Sequence, residues 1–486
     1  MKKFLLTISA ILAMTISLNA ERPDSIRYNA EVYAGFSTGK HTPFWLVNNM
    51  QGLGSPKKNS GYVKAGAFKD IDKSRRFSWG AGVELAGAWR NTSKFYVHQL
   101  YGELKYRSLG AILGAKEMWG ELNNPRLSSG NLLFSGNALP IPQLRVGIFD
   151  FADVWGTKGW LAVKGYLAYG MFTDSNWQED WVRKGLKYTK NVLYHSKGLW
   201  LRGGNTDVFP LQGELGIEMA TQFGGTSYQD GKEVKNSHGL KAWWKAFWPT
   251  SKTFDSLIGH ETSIDGNMVG AYNIALSWLP KADWSVKAYF EHYFEDQSQM
   301  TFEYGWKDAL WGVEVQLPKN RFVSEVVYEY LYSKDQSGAV NNNHTPEIPE
   351  QVSGRDGYYN NSLYTGWQHW GMGIGNPLAI SPIYNPDNNL YFTSNRIIAH
   401  HLGIGGNPTG EIDYRMLLSY TRSWGTYGIP LPEVEDNVNF LAEVSWKPRK
   451  LHGWHAKVGI GIDGGDLLGK SFGVMLTIGK AGIIKF

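Results

Sequence analysis

Residues 471–486 read S-F-G-V-M-L-T-I-G-K-A-G-I-I-K-F. Phe472, Val474, Leu476 and Ile478 fall on one face of an extended strand, with Gly473, Met475 and Thr477 on the other. Past a kink expected at Gly479, Ile484 and Phe486 continue the spaced apolar face to the last residue. Such a face has a physical reason if it looks into lipid and if this strand pairs with the first to close a barrel.

Upstream strands repeat the pattern. Phe77, Trp79, Ala81, Val83, Leu85 and Trp89 share one face against Ser78, Gly80, Gly82 and Glu84. Aromatic ends around an aliphatic centre are what a lipid-facing stripe between two interface belts requires. Leu211, Leu215, Ile217, Met219 and Phe223 alternate with Gln212, Glu214, Glu218 and Gln222, which suggests a wet lumen behind them. Tyr28 to Phe36, Met268 to Trp278 and Trp284 to Phe294 alternate likewise. Segments 279–284 and 317–322 are tight turns, whereas 123–143, 174–193 and 333–389 are long. The fold class expected is therefore all-β: one large antiparallel transmembrane β-barrel of about 16–18 strands, with short periplasmic turns and long extracellular loops. Residues 41–54 break the alternation and are expected to form an irregular loop or plug. Residues 240–248, L-K-A-W-W-K-A-F-W, read either as an amphipathic interfacial helix or as the packed core of a loop.

Composition agrees with this. The 486 residues carry 14% aromatics, 57 Gly, 21 Trp and 26 Tyr, and the mean hydropathy is -0.33. A helical membrane protein would be far more apolar, but a barrel turns only alternate residues to lipid. Residues 1–20, with Lys2 and Lys3 before an apolar run to Leu18 and Ala20 at the cleavage position, read as a signal peptide, leaving 21–486 as a single barrel. The formal charge of +5, two of it from Lys2 and Lys3, is too small to point to nucleic acid. With no cysteine, the chain forms no disulfide and has neither a thiolate metal site nor a lipid-modified cysteine.

Several passages carry a family resemblance. Lys480, Ala481, Ile484 and Phe486 are spaced as in the C-terminal signal of outer-membrane barrels, with Ala481 where that pattern has Gly. His41-Thr42-Pro43-Phe44-Trp45, Ser128-Ser129-Gly130-Asn131, Ser135-Gly136-Asn137-Ala138-Leu139-Pro140-Ile141-Pro142, the run from Tyr194 to Arg202, and Gly354-Arg355-Asp356-Gly357-Tyr358-Tyr359-Asn360-Asn361-Ser362 with Gly366-Trp367 and Gly373-Ile374-Gly375-Asn376-Pro377-Leu378 stand in the order and spacing of the Wzi family of capsule assembly proteins. The chain resembles that family over most of its length. The resemblance implies an 18-stranded outer-membrane barrel without enzymatic activity or cofactor, acting as a surface lectin. Its partners would be capsular polysaccharide or exopolysaccharide, outer-membrane lipid and the barrel assembly machinery.

Sugar binding needs ring faces for pyranose CH groups and amide, carboxylate or guanidinium partners for hydroxyls. Asp356, Tyr358, Tyr359, Asn360, Trp367 and Trp370 supply both types within one loop and are the expected glycan contacts. The competing reading is that they fold this loop over the barrel mouth. Arg126, Arg145 and Arg202 are expected in the lumen, either meeting anionic sugars or paired with Glu214 and Glu218. No catalytic or metal site is expected. The neighbouring pairs His195-Ser196 and His400-His401 must each face apart on a strand.

Overall fold

The computed structural model describes residues 25–248, 266–295, 306–336 and 357–486. The segment read as a signal peptide lies outside them. Eighteen strands form one sheet. They are β1 (Ser25–Gly39), β2 (Gly61–Lys69), β3 (Phe77–Trp89), β4 (Phe95–Tyr106), β5 (Leu109–Ala115), β6 (Gln143–Asp153), β7 (Leu161–Met171), β8 (Leu193–Gly203) and β9 (Leu211–Phe223). Then follow β10 (Asn267–Trp278), β11 (Ser285–Phe294), β12 (Ala309–Gln316), β13 (Glu325–Tyr332), β14 (Ile397–Thr409), β15 (Ile412–Gly425), β16 (Pro430–Trp446), β17 (Trp454–Gly465) and β18 (Ser471–Lys485). Each pairs antiparallel with its neighbours in the chain.

The sheet closes where the apolar terminal face suggests. β18 pairs with β1 in unbroken register from Ser25↔Lys485 to Gly39↔Ser471. Closure removes the free edges that hydrocarbon would not tolerate. The expected kink at Gly479 is absent, because Gly479 stays opposite Glu31. Phe472, Leu476, Ile478 and Ile484 point outward and are exposed, and Phe486 is 69% exposed. Leu85, Leu104, Leu144, Leu199, Leu215, Ile274 and Val313 extend this apolar exterior around the wall. Among the described residues no helix is long and apolar enough to cross a membrane. The strands form the span, in an outer-membrane-type barrel.

The connections are lopsided. Segments 70–76, 107–108, 154–160, 204–210, 279–284, 317–324, 410–411 and 447–453 turn at one end, which also holds the Ser25↔Lys485 pair of the β1–β18 seam. At the other end start the long connections, of which 40–60, 116–142, 172–192, 224–248 and 357–396 are described. In outer-membrane barrels the long-loop end faces outward.

Protein fills much of the interior. Segments 40–60, 116–142 and 357–396 fold into the barrel and share one hydrophobic core with the wall, including Phe44, Trp45, Leu127, Leu133, Trp367, Ile374 and Phe392 of the loops and Ala220, Tyr293, Leu310 and Leu441 of the strands. Inward glycines make room for the loops: a Cβ on Gly461 of β17 would come within 2.7 Å of Pro43, and one on Gly473 of β18 within 2.8 Å of it. The plug reading of 41–54 thus holds, while Gln222, taken to line water, is buried and donates to the Gly366 carbonyl at 3.1 Å.

Candidate functional site: the plugged mouth

Carboxylates on the wall hold the plug. Glu329 of β13 accepts the Ser129 N–H at 2.7 Å and hydroxyls of Ser128, Ser129 and Tyr289 at 2.5 Å each. Glu291 of β11 accepts the N–H groups of Leu132 and Leu133 at 2.6 and 3.1 Å. Asp463 of β17 accepts the Phe44 N–H at 2.8 Å. Glu295 accepts the Tyr359 N–H at 2.5 Å. A charged acceptor on a loop N–H satisfies both groups where no water is needed.

The passages that resemble the Wzi family meet here. Asn137 donates to the Gly373 carbonyl at 3.0 Å and accepts the Asn49 N–H at 3.0 Å. Asn376 donates to Ser129 at 3.0 Å and to the Gly130 carbonyl at 2.5 Å. Ser135 donates to the Gly375 carbonyl at 2.7 Å. These short polar motifs knit three loops into one body.

The same packing decides where the expected glycan contacts lie. Asp356 is outside the described residues. Trp367 is 0% exposed and donates to the Leu133 carbonyl at 2.9 Å. Tyr358 is buried and donates to Asp308 at 2.9 Å. Tyr359 is buried, donates to the Leu132 carbonyl at 2.5 Å, and has its phenol pushed well above its ordinary value by that burial. Asn360 clasps Phe392 through both backbone groups, at 2.9 Å each. These four residues fold the loop; the rings of Tyr358, Tyr359 and Trp367 are covered by protein, and Asn360 is half-buried.

Trp370 is different. It stands at the tip of a hairpin between Gln368–His369 and Met372–Gly373. Trp370 and Gly371 have φ of 57° and 79°, the two left-handed residues of a tight hairpin turn. A bulky residue there is strained by about 1–2 kcal/mol. The turn sets the half-buried Trp370 indole on Trp177, with centroids 6.3 Å apart, and edge-on to Tyr96 at 5.8 Å. Trp177 and Trp181, at i and i+4 of helix α1 (Trp177–Trp181), stack at 5.1 Å. Asp174 accepts the N–H groups of Asn176 and Gln178 to start this turn. Tyr188 stacks on Tyr228 at 4.8 Å in a three-stranded sheet of Tyr188–Lys190, Thr226–Gln229 and Lys232–Lys235. Lys190 donates to Glu179 at 2.6 Å and holds that carboxyl below its usual range. Lys187, whose burial lowers its ammonium, donates to the Ser362 carbonyl at 2.5 Å and ties this layer to the plug. Trp181, Trp370, Tyr188 and Tyr228 are half-buried, and the Lys190 ammonium stands 5.8 Å from the Tyr188 and Tyr228 rings. Segment 174–193 is legible in the sequence as a long loop only, although its aromatic spacing at 177 and 181 is the signal that finds this row.

The three arginines take different places. Arg145 and Arg202 face the lumen, but neither forms the expected pair with Glu214 or Glu218. The Arg145 guanidinium lies 3.6 Å from the Tyr166 ring centroid, and that of Arg202 lies 4.1 Å from the Phe151 ring. Arg126 hangs from the plug, 3.5 Å from Glu325, and donates to the Tyr414 carbonyl at 2.6 Å. Glu325 and Tyr414 start strands at the short-turn end, so segment 116–142 traverses the lumen.

Two clusters bear on other chemistries. Ligating atoms of Glu84, His98 and Glu117 lie within 4.8 Å of one another. His98 Nε2 faces the Gln51 carbonyl at 3.0 Å and must donate there, while Nδ1 is 2.6 Å from Glu84. Lys64 stands 3.6 Å from the same carboxylate. Protein partners compensate these charges, and the cluster ties two plug loops to the wall. Burial raises the Glu117 carboxyl. Across β14 and β15, His401 Nδ1 lies 2.7 Å from the Ser419 hydroxyl, but both residues are buried beneath Trp45, and His401 Nε2 is bound to the Leu127 carbonyl. That pair pins the plug and has no room for a substrate.

Among solved structures the barrel is similar to Wzi of Escherichia coli, described as an outer membrane protein involved in group 1 capsule assembly and as a carbohydrate-binding β-barrel. The TM-score is 0.57 at 11% identity, covering 98% of this chain and 87% of that one. OccK5 (OpdH) of Pseudomonas aeruginosa aligns with a TM-score of 0.48 at 8% identity, covering 95% and 98%. OprD of the same organism gives 0.46 at 8%, covering 95% and 96%. The likeness is one of fold. No protein-family model and no curated protein matches the sequence.

Proposed function

We propose that this chain is a non-enzymatic outer-membrane protein of a Gram-negative bacterium, exported through residues 1–20, that binds capsular polysaccharide or exopolysaccharide at its outer mouth and assists capsule assembly. The family resemblance in the plug motifs supports a place beside the Wzi proteins. The observation that carries the reading is the row of half-exposed rings, Trp370, Trp181, Tyr188 and Tyr228, set beside Lys190 and Glu179 on a packed plug. Rings of this kind offer flat faces to sugar CH groups, and the charged neighbours offer partners for hydroxyls.

The filled lumen supports this reading over a porin. A plug cavity lined by Leu132, Tyr293, Asp308, Tyr358 and Tyr359 has about 10 Å³ free, room for one water at most. Sugar would be held at the mouth rather than passed through it. The test is deletion of the gene followed by assay of cell-bound against released polysaccharide. Release of polysaccharide on deletion is the expected result, and unchanged retention would sink the proposal. Large steady conductance of the purified protein in planar bilayers would instead favour a pore.

A further inference from the structure

Turns 70–76 and 107–108 stand side by side at the short-turn end, joining β2 to β3 and β4 to β5. The Arg107 N–H donates to the Arg76 carbonyl at 2.6 Å and ties the two together. Arg107 opens its two-residue turn with a φ of 55°. Gly and Asn take that left-handed backbone readily, and other residues seldom do. The turn geometry alone would be better served by Gly, yet the position carries a guanidinium.

The Arg107 and Arg76 side chains converge on Tyr106. The Arg76 guanidinium donates to the Tyr106 hydroxyl at 2.6 Å and lies 5.2 Å from the ring centroid. The Arg107 guanidinium lies 5.8 Å from the same centroid. The bond to Tyr106 uses one of the several N–H donors of Arg76 and leaves the rest. The acids of the surrounding turns are engaged by other cations: Asp70 by Arg27 at 3.0 Å, Asp72 by Arg75 at 3.1 Å and Asp150 by Lys73 at 2.8 Å. Among the described residues no carboxylate pairs with Arg76 or Arg107, and both side chains are exposed.

The surroundings are those of a membrane boundary. Phe77, Tyr106 and Leu109 stand opposite one another across β3, β4 and β5. They are exposed on the outer wall together with Trp79 and Leu104. Such rings mark the headgroup level of a bilayer. Guanidiniums just beyond them stand at the depth of lipid phosphates, and a planar guanidinium can bind two phosphate oxygens at once.

We propose that Arg76 and Arg107 hold the phosphate of an anionic phosphoglyceride in the periplasm-facing leaflet, with its acyl chains along Leu104 and Leu109. The unpaired cations complement the anionic headgroup, and their continuity with the apolar wall favours a lipid over a soluble acidic partner. The inference rests on the membrane placement of the barrel and is independent of glycan binding.

The test uses the full chain, exchanged in detergent with an equimolar mixture of phosphatidylglycerol and phosphatidylcholine. Native mass spectrometry then reads the lipid retained after washing. The unaltered chain should retain phosphatidylglycerol in preference to phosphatidylcholine. Arg76→Gln with Arg107→Gln should lose that preference, and Arg107→Gly should weaken it, while heat-modifiable mobility shows an intact barrel in each. Lys319→Gln with Arg321→Gln, which removes two exposed cations from another short turn, should leave the preference unchanged. Equal retention of the two lipids by the unaltered chain would overturn the proposal. Undiminished preference in the Arg76→Gln, Arg107→Gln chain would overturn it too. An equal loss in the Lys319→Gln, Arg321→Gln chain would assign the lipid to the charge of the whole rim and overturn the site.

Discussion

The wall carboxylate of Glu329 accepts both the backbone N–H of Ser129, at 2.7 Å, and its hydroxyl, at 2.5 Å. One strand residue thereby fixes a loop residue two hundred positions away in the chain. Glu329→Ala would strand several buried donors at about 1–3 kcal/mol each. The barrel should still assemble, because its ladder is untouched, but the plug should loosen. Single-channel recording checks this: the variant should pass more current than the unaltered protein.

Trp367 is among the largest fully buried side chains and lies at the meeting of the plug loops. Trp367→Ala should cost about 3–5 kcal/mol of plug stability through the cavity it leaves. Limited proteolysis of segment 357–396 reads that loss, while heat-modifiable gel mobility should show an intact barrel.

Val83 is exposed on β3 between the exposed Trp79 and Trp89, at the centre of the apolar band. Val83→Arg should destabilise the inserted barrel by about 2–4 kcal/mol, as a charge at the midplane does. Urea unfolding in lipid vesicles measures this, and a neutral effect would contradict the lipid-facing orientation.

Burial lowers the His369 imidazole, held between the Leu139 carbonyl at 2.9 Å and Thr173. The folded plug therefore binds this proton more weakly than the unfolded segment does. The stability it contributes is present above the ordinary value of about 6.5 and is lost as pH falls from there toward the folded value. Protease cutting in the plug should rise below that pH, and His369→Gln should flatten the dependence.

The strands were legible because lipid imposes a period of two with aromatic ends, as in Phe77 to Trp89. Closure was legible in Phe472 to Ile478 for the same reason. The plug was not, since a loop packed in a lumen has no period. Glu218 and Gln222 look alike whether they face water or, as here, Tyr166 at 3.1 Å and the Gly366 carbonyl. Tyr358, Tyr359 and Trp367 have the chemistry of sugar contacts, but the fold uses their rings and polar atoms as internal ties. The passages that resemble the Wzi family follow the same rule, marking how the plug is knit. The mouth row needed contacts between Trp370 and Trp177, 193 positions apart, which no local pattern encodes.

The central claim is that polysaccharide is held at the aromatic mouth. The most direct measurement is cell-bound against released polysaccharide in cells carrying Trp181→Ala with Tyr228→Ala, in a barrel whose insertion is verified by heat-modifiable mobility. A shift of polysaccharide to the released fraction, approaching that of the deletion strain, is the predicted result. Retention equal to that of the unaltered protein would contradict it.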